Sequence, residues 1–207
     1  MPRRRRPRGQ GGRLRDELLA AAEQLLAETG DERMVTVRAI VERVGVTPPS
    51  LYRHFDDKQA LVREAVARRF ASLAQAIKAG AGAAAEAGDA AGALRGGCLA
   101  YLRWAQDEPG GYALLFTTRR DTLLEGGPAG TEAFDSLVGG ITGCQDAGLA
   151  RSGDPQSMAL LVWAALHGVA TLTTARPGID WPSAEQMVDD LLDGLVGLDR
   201  RSGPDSG

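Results

Sequence analysis

An all-α protein is predicted, and three observations carry that prediction. The apolar residues are mostly Ala, Leu and Val, they recur at three- and four-residue spacing, and β-branched residues never gather into alternating runs. With 207 residues, 43% hydrophobic and 25% charged, the chain has the balance of a soluble globular protein. That length suits one large domain or a small one joined to a medium one.

The first twelve residues are rich in Arg, Gly and Pro and carry no apolar pattern, so 1–12 reads as a disordered basic arm. Arg3–Arg6 are either a solvated tail or an arm that tracks a polyanion. From Arg13 a helix is expected, with Leu14, Leu18, Ala21, Ala22, Leu25 and Leu26 on one face and Gly30 as its stop. Thr36 is suited to cap a short second helix whose apolar face is Val37, Ile40, Val41 and Val44, and Gly45 ends it. Thr47 is placed to cap a third short helix reaching about His54. Asp56 or Asp57 then caps a fourth that runs to about Lys78.

Residues 79–93, AGAGAAAEAGDAAGA, are low in complexity. Interspersed glycines cost about 1 kcal/mol each inside a helix, so a mobile connection or frayed helix ends are expected there. Further helices are predicted near 91–108, 110–118, 130–148, 154–175 and 183–198, about nine in all, before a disordered tail at 201–207.

Charge is divided unevenly. Residues 1–63 hold 13 Lys/Arg against 9 Asp/Glu, whereas 64–207 hold 11 against 18, within a net charge of −3. A basic first third on an acidic body suggests that only the first third faces a polyanion. Two short helices joined by a glycine turn inside that basic part form the pattern of a helix–turn–helix unit. In such a unit the first helix braces and the second lies in the major groove of double-stranded DNA. Pro48 and Pro49 fit the first turn of the second helix, where the N–H they lack has no intrahelical partner. They offer a compact apolar tip for thymine methyl groups. One strain is expected, because a residue before proline disfavours the α region and Pro48 precedes Pro49.

The stretch VTVRAIVERVGVTPPSLYRHFDDKQALV (35–62) resembles the DNA-binding domain of the tetracycline-repressor (TetR) family of bacterial regulators. The resemblance covers about residues 13–62 and rests on Thr36, Ile40, Gly45–Val46, Leu51–Tyr52, His54–Phe55 and Lys58–Leu61. It implies a DNA-binding domain at 13–57 and a ligand-binding and dimerisation domain at 58–200. It also implies a phosphate-binding cap at Thr36, guanine reading by Arg38, base contacts from Pro48, Pro49 and Ser50, and phosphate contacts from Tyr52, His54 and Lys58. Thr47 is a further DNA-binding candidate, with a phosphate role beside its capping one. Bland alternatives stand beside these: Thr36 and Thr47 cap helices with or without DNA, Tyr52 could pack on the first helix, and His54 could be a core histidine.

In the C-terminal part, MALLVWAALHGVATLTTA (158–175) is apolar all round. Such a helix is buried on all sides, which suggests its own domain on one side and a second subunit on the other. The helix at 183–198 has a stripe of Met187, Val188, Leu191, Leu192, Leu195 and Val196. The family resemblance implies a homodimer through the helices at 154–175 and 183–198, hence a pseudo-palindromic operator with half-sites about one helical turn (roughly 34–36 Å) or slightly more apart. Trp163, His167 and Gly168, with GYALLF (111–116), also resemble a subgroup whose ligand-side domain carries a Trp–His–Gly signature. Tyr101, Trp104, Tyr112, Phe116, Phe134, Trp163 and His167 are either the lining of a pocket for an unknown small-molecule effector or plain core packing. His167 is either its polar anchor or a bond between helices.

No GxSxG, HExxH, P-loop or Rossmann glycine pattern occurs, so no catalytic residue, cofactor or metal site is expected. No stretch approaches the ~20 apolar residues of a membrane span, and no apolar segment of a secretory signal comes after the basic start. Cys98 and Cys144 are isolated, as reduced thiols of a cytoplasmic protein would be. The function this reading predicts is a ligand-released transcriptional repressor. The alternatives are a ligand-insensitive DNA-binding protein and an activator of the same fold.

Overall fold

The structure is a computed structural model that describes residues 10–29, 31–117 and 127–198. Among these residues there are nine α-helices, one 3-10 turn and no strand. They are α1 (Gln10–Thr29), the turn Glu32–Met34, α2 (Val37–Val44), α3 (Pro48–Leu51), α4 (Lys58–Glu86), α5 (Ala90–Asp107), α6 (Pro109–Thr117), α7 (Gly127–Asp146), α8 (Pro155–Ala175) and α9 (Ala184–Val196). Most of the expected arm, the tail beyond 198 and Gly30 lie outside the described residues. Gln10–Gly12, expected to be part of the arm, belong to α1.

The described residues divide into two compact units, 10–69 with 110–117, and 70–109 with 127–198. In the first, α1 presents Leu18, Leu19, Ala21, Ala22, Leu25 and Leu26 to the interior. Against that stripe lie Val35, Ile40, Val41, Leu51 and Phe55, together with Leu61, Val62, Ala65 and Val66 from the first turns of α4. Fully burying a Leu or Val side chain is worth about 1.5–3 kcal/mol, so this shared core holds the three short segments in place. Ion pairs border it: Arg15 to Glu64, Arg69 to Glu23 at 2.6 Å, and Arg43 to Glu28 at 2.8 Å. The Arg15 guanidinium also lies over the Phe55 ring, 4.9 Å from its centroid. Gly110 brings α6 against α1, since a Cβ there would meet Ala27 Cβ at 2.6 Å.

In the second unit α5 packs against α7, α8 and α9, and α8 against α7 and α9. Arg95–Asp189 and Arg103–Glu185, each at 2.9 Å, tie α5 to α9. Trp104 donates to Ser72 Oγ at 3.2 Å, tying α5 to α4. Asp154, with Pro155 after it, and Ser183 cap α8 and α9, accepting from the N–H groups of Ser157 and Gln186.

The glycine-rich segment departs from expectation. Residues 79–86 complete α4, and α5 begins at Ala90, so only Ala87–Gly88–Asp89 connects them. Gly88 takes the left-handed conformation, φ 74°, that ends α4, and Asp89 accepts from Gly92 N–H to start α5. Gly80 is tolerated because it sits where two helix backbones meet. A Cβ on Gly80 would lie 2.5 Å from the Gly96 carbonyl oxygen, and one on Gly96 would strike the Gly80 carbonyl. Close packing here outweighs helix propensity.

α8 is also more exposed than its composition suggests. Met158, Ala159, Val162, Leu166 and Ala170 are buried, but Leu160, Leu161, Ala164 and Leu172 form an exposed stripe. By length and composition alone α8 could cross a membrane, with a mean hydropathy of 1.5. That corrects the expectation that no segment approaches span length.

Gly96→Ala is expected to destabilise the protein by about 1–3 kcal/mol through overpacking. Gly82→Ala, with open space around the position, is expected to stabilise by up to about 1 kcal/mol through helix propensity. Urea denaturation of both variants checks the opposite signs.

Candidate nucleic-acid interface

The bracing helix α2 is stopped and started by its own sequence. Thr36 has extended backbone angles (φ −103°, ψ 151°), and its hydroxyl accepts from Ala39 N–H at 3.1 Å. At the other end Gly45 adopts φ 73°, ψ 35°, a left-handed conformation that costs a glycine little, and Val46 N–H reaches Val41 O at 2.9 Å. Ile40 and Val41 are buried beneath, whereas Val37 and Val44 are half-buried at the edge.

The double proline enters α3 as its first two residues. Thr47 is the N-cap by backbone (φ −102°, ψ 154°), but its side chain makes no capping hydrogen bond, contrary to the capping role expected for it. The reason is chemical. A cap accepts from the second or third helical N–H, Pro49 has none, and Ser50 N–H donates to the Thr47 carbonyl at 2.8 Å. Pro48 stands inside the helix, its carbonyl accepting from Tyr52 N–H at 3.2 Å, so the expected distortion does not displace the helix start. α3 is shorter than expected and ends at Leu51. Tyr52–His54 continue as a turn, in which His54 and Phe55 N–H groups both reach the Leu51 carbonyl, at 2.8 and 3.1 Å.

Leu51 and Phe55 face the core, and the other residues of this segment face outward. Thr47, Pro48, Pro49, Tyr52 and Arg53 are exposed, with Ser50 and His54 half-buried between them. Tyr52 is 54% exposed, so its ring does not pack into the core. Arg38 is exposed on α2 and paired with Glu42 at 2.7 Å, which raises its pKa through the hydrogen bond and the neighbouring charge. Lys58 departs from a purely phosphate-binding reading. Its ammonium is half-buried and donates to the Glu32 carbonyl at 3.1 Å, tying the start of α4 to the 3-10 turn. An ammonium has three donors, so this bond leaves capacity for another partner. Asp57 caps α4 by accepting from Ala60 N–H at 2.6 Å.

The aromatic candidates fall into both units. Tyr112 and Phe116, on α6, contact each other with centroids 4.8 Å apart. In the second unit Phe134 of α7 meets Trp163 of α8 edge-on at 6.2 Å, and Trp163 lies 6.5 Å from the His167 ring. Burial lowers the pKa of His167 and so favours its neutral form at neutral pH. Tyr101 and Trp104 are buried on α5. Cys98 and Cys144 are free thiols in the interior, Cys98 pushed up to about 12 by burial and by the neighbouring Cys144. Among the described residues no group of three or more His, Cys, Asp or Glu side chains could hold a metal ion.

Two features escape the sequence. Ser50 is held between Thr47 and Arg53, and the two three-residue steps 47, 50, 53 are its only signal. The Arg43–Glu28 pair that fixes α2 on α1 joins residues 15 apart, a separation no local pattern reports.

Thr36→Ala is expected to cost about 0.5–2 kcal/mol, the usual loss of an N-cap. Thr47→Ala should cost only a few tenths of that, because no capping bond is removed. Thermal unfolding of the two variants reads the difference.

Residues 18–65 match the tetR family of bacterial regulatory proteins, and residues 94–195 match the tetracyclin repressor-like C-terminal domain. A 56-residue stretch is 48% identical to the HTH-type transcriptional repressor KstR2 of Rhodococcus jostii (strain RHA1). That alignment covers 27% of this chain and 26% of KstR2. Among solved structures, a Rhodococcus sp. RHA1 protein of unknown function is similar with TM-score 0.69 at 26% identity, covering 94% of this chain and 98% of that one. A TetR family transcription regulator from Marinobacter aquaeolei VT8 gives TM-score 0.71 at 13% identity, covering 92% and 99%. SmeT, the repressor of the Stenotrophomonas maltophilia multidrug efflux pump SmeDEF, gives 0.66 at 22%, covering 88% and 90%. With matches to the family at both ends, and a helix–turn–helix braced as the resemblance implied, the chain belongs to the TetR family of bacterial regulators.

Proposed function

We propose that this protein is a transcriptional repressor that binds a pseudo-palindromic DNA operator as a homodimer and is released by a small molecule. The observation that carries the reading is the division of the α2–α3 segment. Leu51 and Phe55 lock it to the core, and Thr47–Ser50 with Tyr52 and Arg53 stand outward on an unbroken polar and proline surface. A helix held this way presents its start and one face to a major groove. In this reading Thr36, Tyr52, His54 and Lys58 hold phosphates, which positions the protein without reading sequence. Arg38, Pro48, Pro49 and Ser50 then meet bases. Residues 13–57 form the DNA-binding domain and 58–200 the effector and dimerisation domain.

The exposed stripe of α8, with Leu160 and Leu161 about half exposed, supports a second copy of the chain as its cover. α9 lies beside it with Met187, Leu191 and Leu195 half-buried, so the two helices supply a continuous apolar face. The Trp163, His167 and Gly168 pattern supports a C-terminal domain of the Trp–His–Gly subgroup type. The Phe134–Trp163–His167 cluster is where an apolar or aromatic effector would meet a neutral imidazole. Effector binding changes operator affinity by a coupling of about 1–3 kcal/mol, typical of such linkage. No enzymatic activity is part of this function, and the working compartment is the cytoplasm.

The test is DNA binding by fluorescence anisotropy, with fragments of the protein's own upstream region at about 100 mM salt, where phosphate contacts dominate affinity. Wild-type protein should bind at least one fragment specifically; no specific binding to any of them sinks the reading. Tyr52→Phe should weaken binding to all sequences alike with the salt slope nearly unchanged, because a neutral hydroxyl bound to phosphate releases no counterion. It is a cleaner probe than Lys58→Ala, which also breaks the bond to Glu32. Arg38→Ala should instead relax preference at one base pair.

Leu161→Glu is expected to leave each chain folded but to shift sedimentation from dimer to monomer. A wild-type protein that sediments as a monomer at tens of micromolar would remove the homodimer from the proposal.

A further inference from the structure

Between residues 10 and 69 the chain has nine arginines, and seven of them are in ion pairs with Asp or Glu side chains. Among the described residues only Arg53 and Arg63 of this segment have no carboxylate partner. Arg63 is exposed on α4, with no hydrogen bond ordering its side chain. Arg53 differs: it is exposed on the same outward surface as the double proline, and its Nη2 donates to Ser50 Oγ at 3.0 Å. Ser50 Oγ in turn lies 3.3 Å from Thr47 Oγ1. Ser50 Oγ accepts from Arg53, and either hydroxyl of the Ser50–Thr47 pair can donate to the other.

This chain of contacts originates in the double proline. Pro49 has no N–H and Ser50 N–H is taken by the Thr47 carbonyl, so the Thr47 hydroxyl is released from capping and becomes available to Ser50. Ser50 then holds one arm of the Arg53 guanidinium, leaving its other donors directed to solvent. A planar guanidinium with a fixed plane suits bidentate recognition better than a freely rotating one. Arg38, by contrast, has its charge compensated by Glu42, to which its Nε donates.

We propose that Arg53 is a base-reading residue that recognises a guanine through O6 and N7, and that Ser50 acts as its positioning residue. This rests on the DNA-binding reading above and adds to it a specificity determinant. Arg53 contributes to sequence choice because it has no carboxylate partner among the described residues, one arm of its guanidinium is anchored by Ser50, and it lies in the turn just past the proline-led helix. Beside its own place on the base-facing surface, Ser50 supports Arg53, so removing either the hydroxyl support or the guanidinium affects the operator position that Arg53 reads.

The experiment selects duplexes of about 30 base pairs, long enough for two half-sites, from a random pool with the wild-type protein. Affinities of the wild type and variants are then measured on the best duplex and on its single-base-pair changes. Arg53→Ala should lose discrimination at one G·C pair per half-site by roughly 5- to 150-fold, with the remaining profile and the salt slope nearly unchanged. Ser50→Ala should weaken that same preference, Ser50→Thr should restore it, and the double alanine variant should be no worse there than Arg53→Ala. Circular dichroism melting confirms that each variant is folded. A uniform loss of affinity with a shallower salt slope would make Arg53 a phosphate contact and overturn the proposal, as would an unchanged profile. A pool from which the wild type selects nothing overturns the DNA-binding reading along with it.

Discussion

The apolar stripe of α1, from Leu18 to Leu26, is the surface on which the first unit is assembled. α2 has eight residues and α3 four, lengths at which an isolated helix in water is unstable because nucleation outweighs its few hydrogen bonds. Their geometry therefore comes from burial of Ile40, Val41, Leu51 and Phe55 against that stripe and from the pair Arg43–Glu28 at its margin, while Arg15–Glu64 ties α4 to α1. The ion pairs are partly exposed and contribute little stability each. They fix register. The core supplies the energy, and the outward face of α3 inherits its position from it.

Backbone chemistry then decides which side chains on that face are available. At Thr36 the N-cap hydroxyl is taken up by Ala39. At Thr47, in the same backbone conformation, the prolines remove the donor and the hydroxyl is redirected to Ser50, and Ser50 to Arg53. Two threonines, each preceding a short helix, thus have different roles because one is succeeded by ordinary N–H donors and the other by prolines. Lys58 shows the converse, a residue expected only to meet a ligand that also holds two segments together.

The second unit depends on a different constraint, the close approach of α4 and α5 at Gly80 and Gly96. Local propensity argued against helix across 79–93, and tertiary packing reversed it, since only glycines allow those backbones to meet. On α8 composition misled in the opposite direction. A helix apolar all round in composition leaves Leu160, Leu161 and Leu172 exposed in the chain, because the neighbouring helices cover only one side of it.

The all-α class, the apolar faces of α1 and α2, the Gly45 turn and the cap at Thr36 were readable because each is a local signal, set by spacing or by one side chain at a helix end. So were the outward residues of the helix–turn–helix, since the same period that buries Leu51 exposes Tyr52. Beyond the reach of linear order were relations between residues distant in the chain or dependent on donors removed: the Gly80–Gly96 crossing, the Arg43–Glu28 and Lys58–Glu32 ties, the lost cap at Thr47 and the orientation of Arg53. Those are decided by which backbones approach and which hydrogen-bonding groups remain once the core has formed, and only the folded chain contains that information.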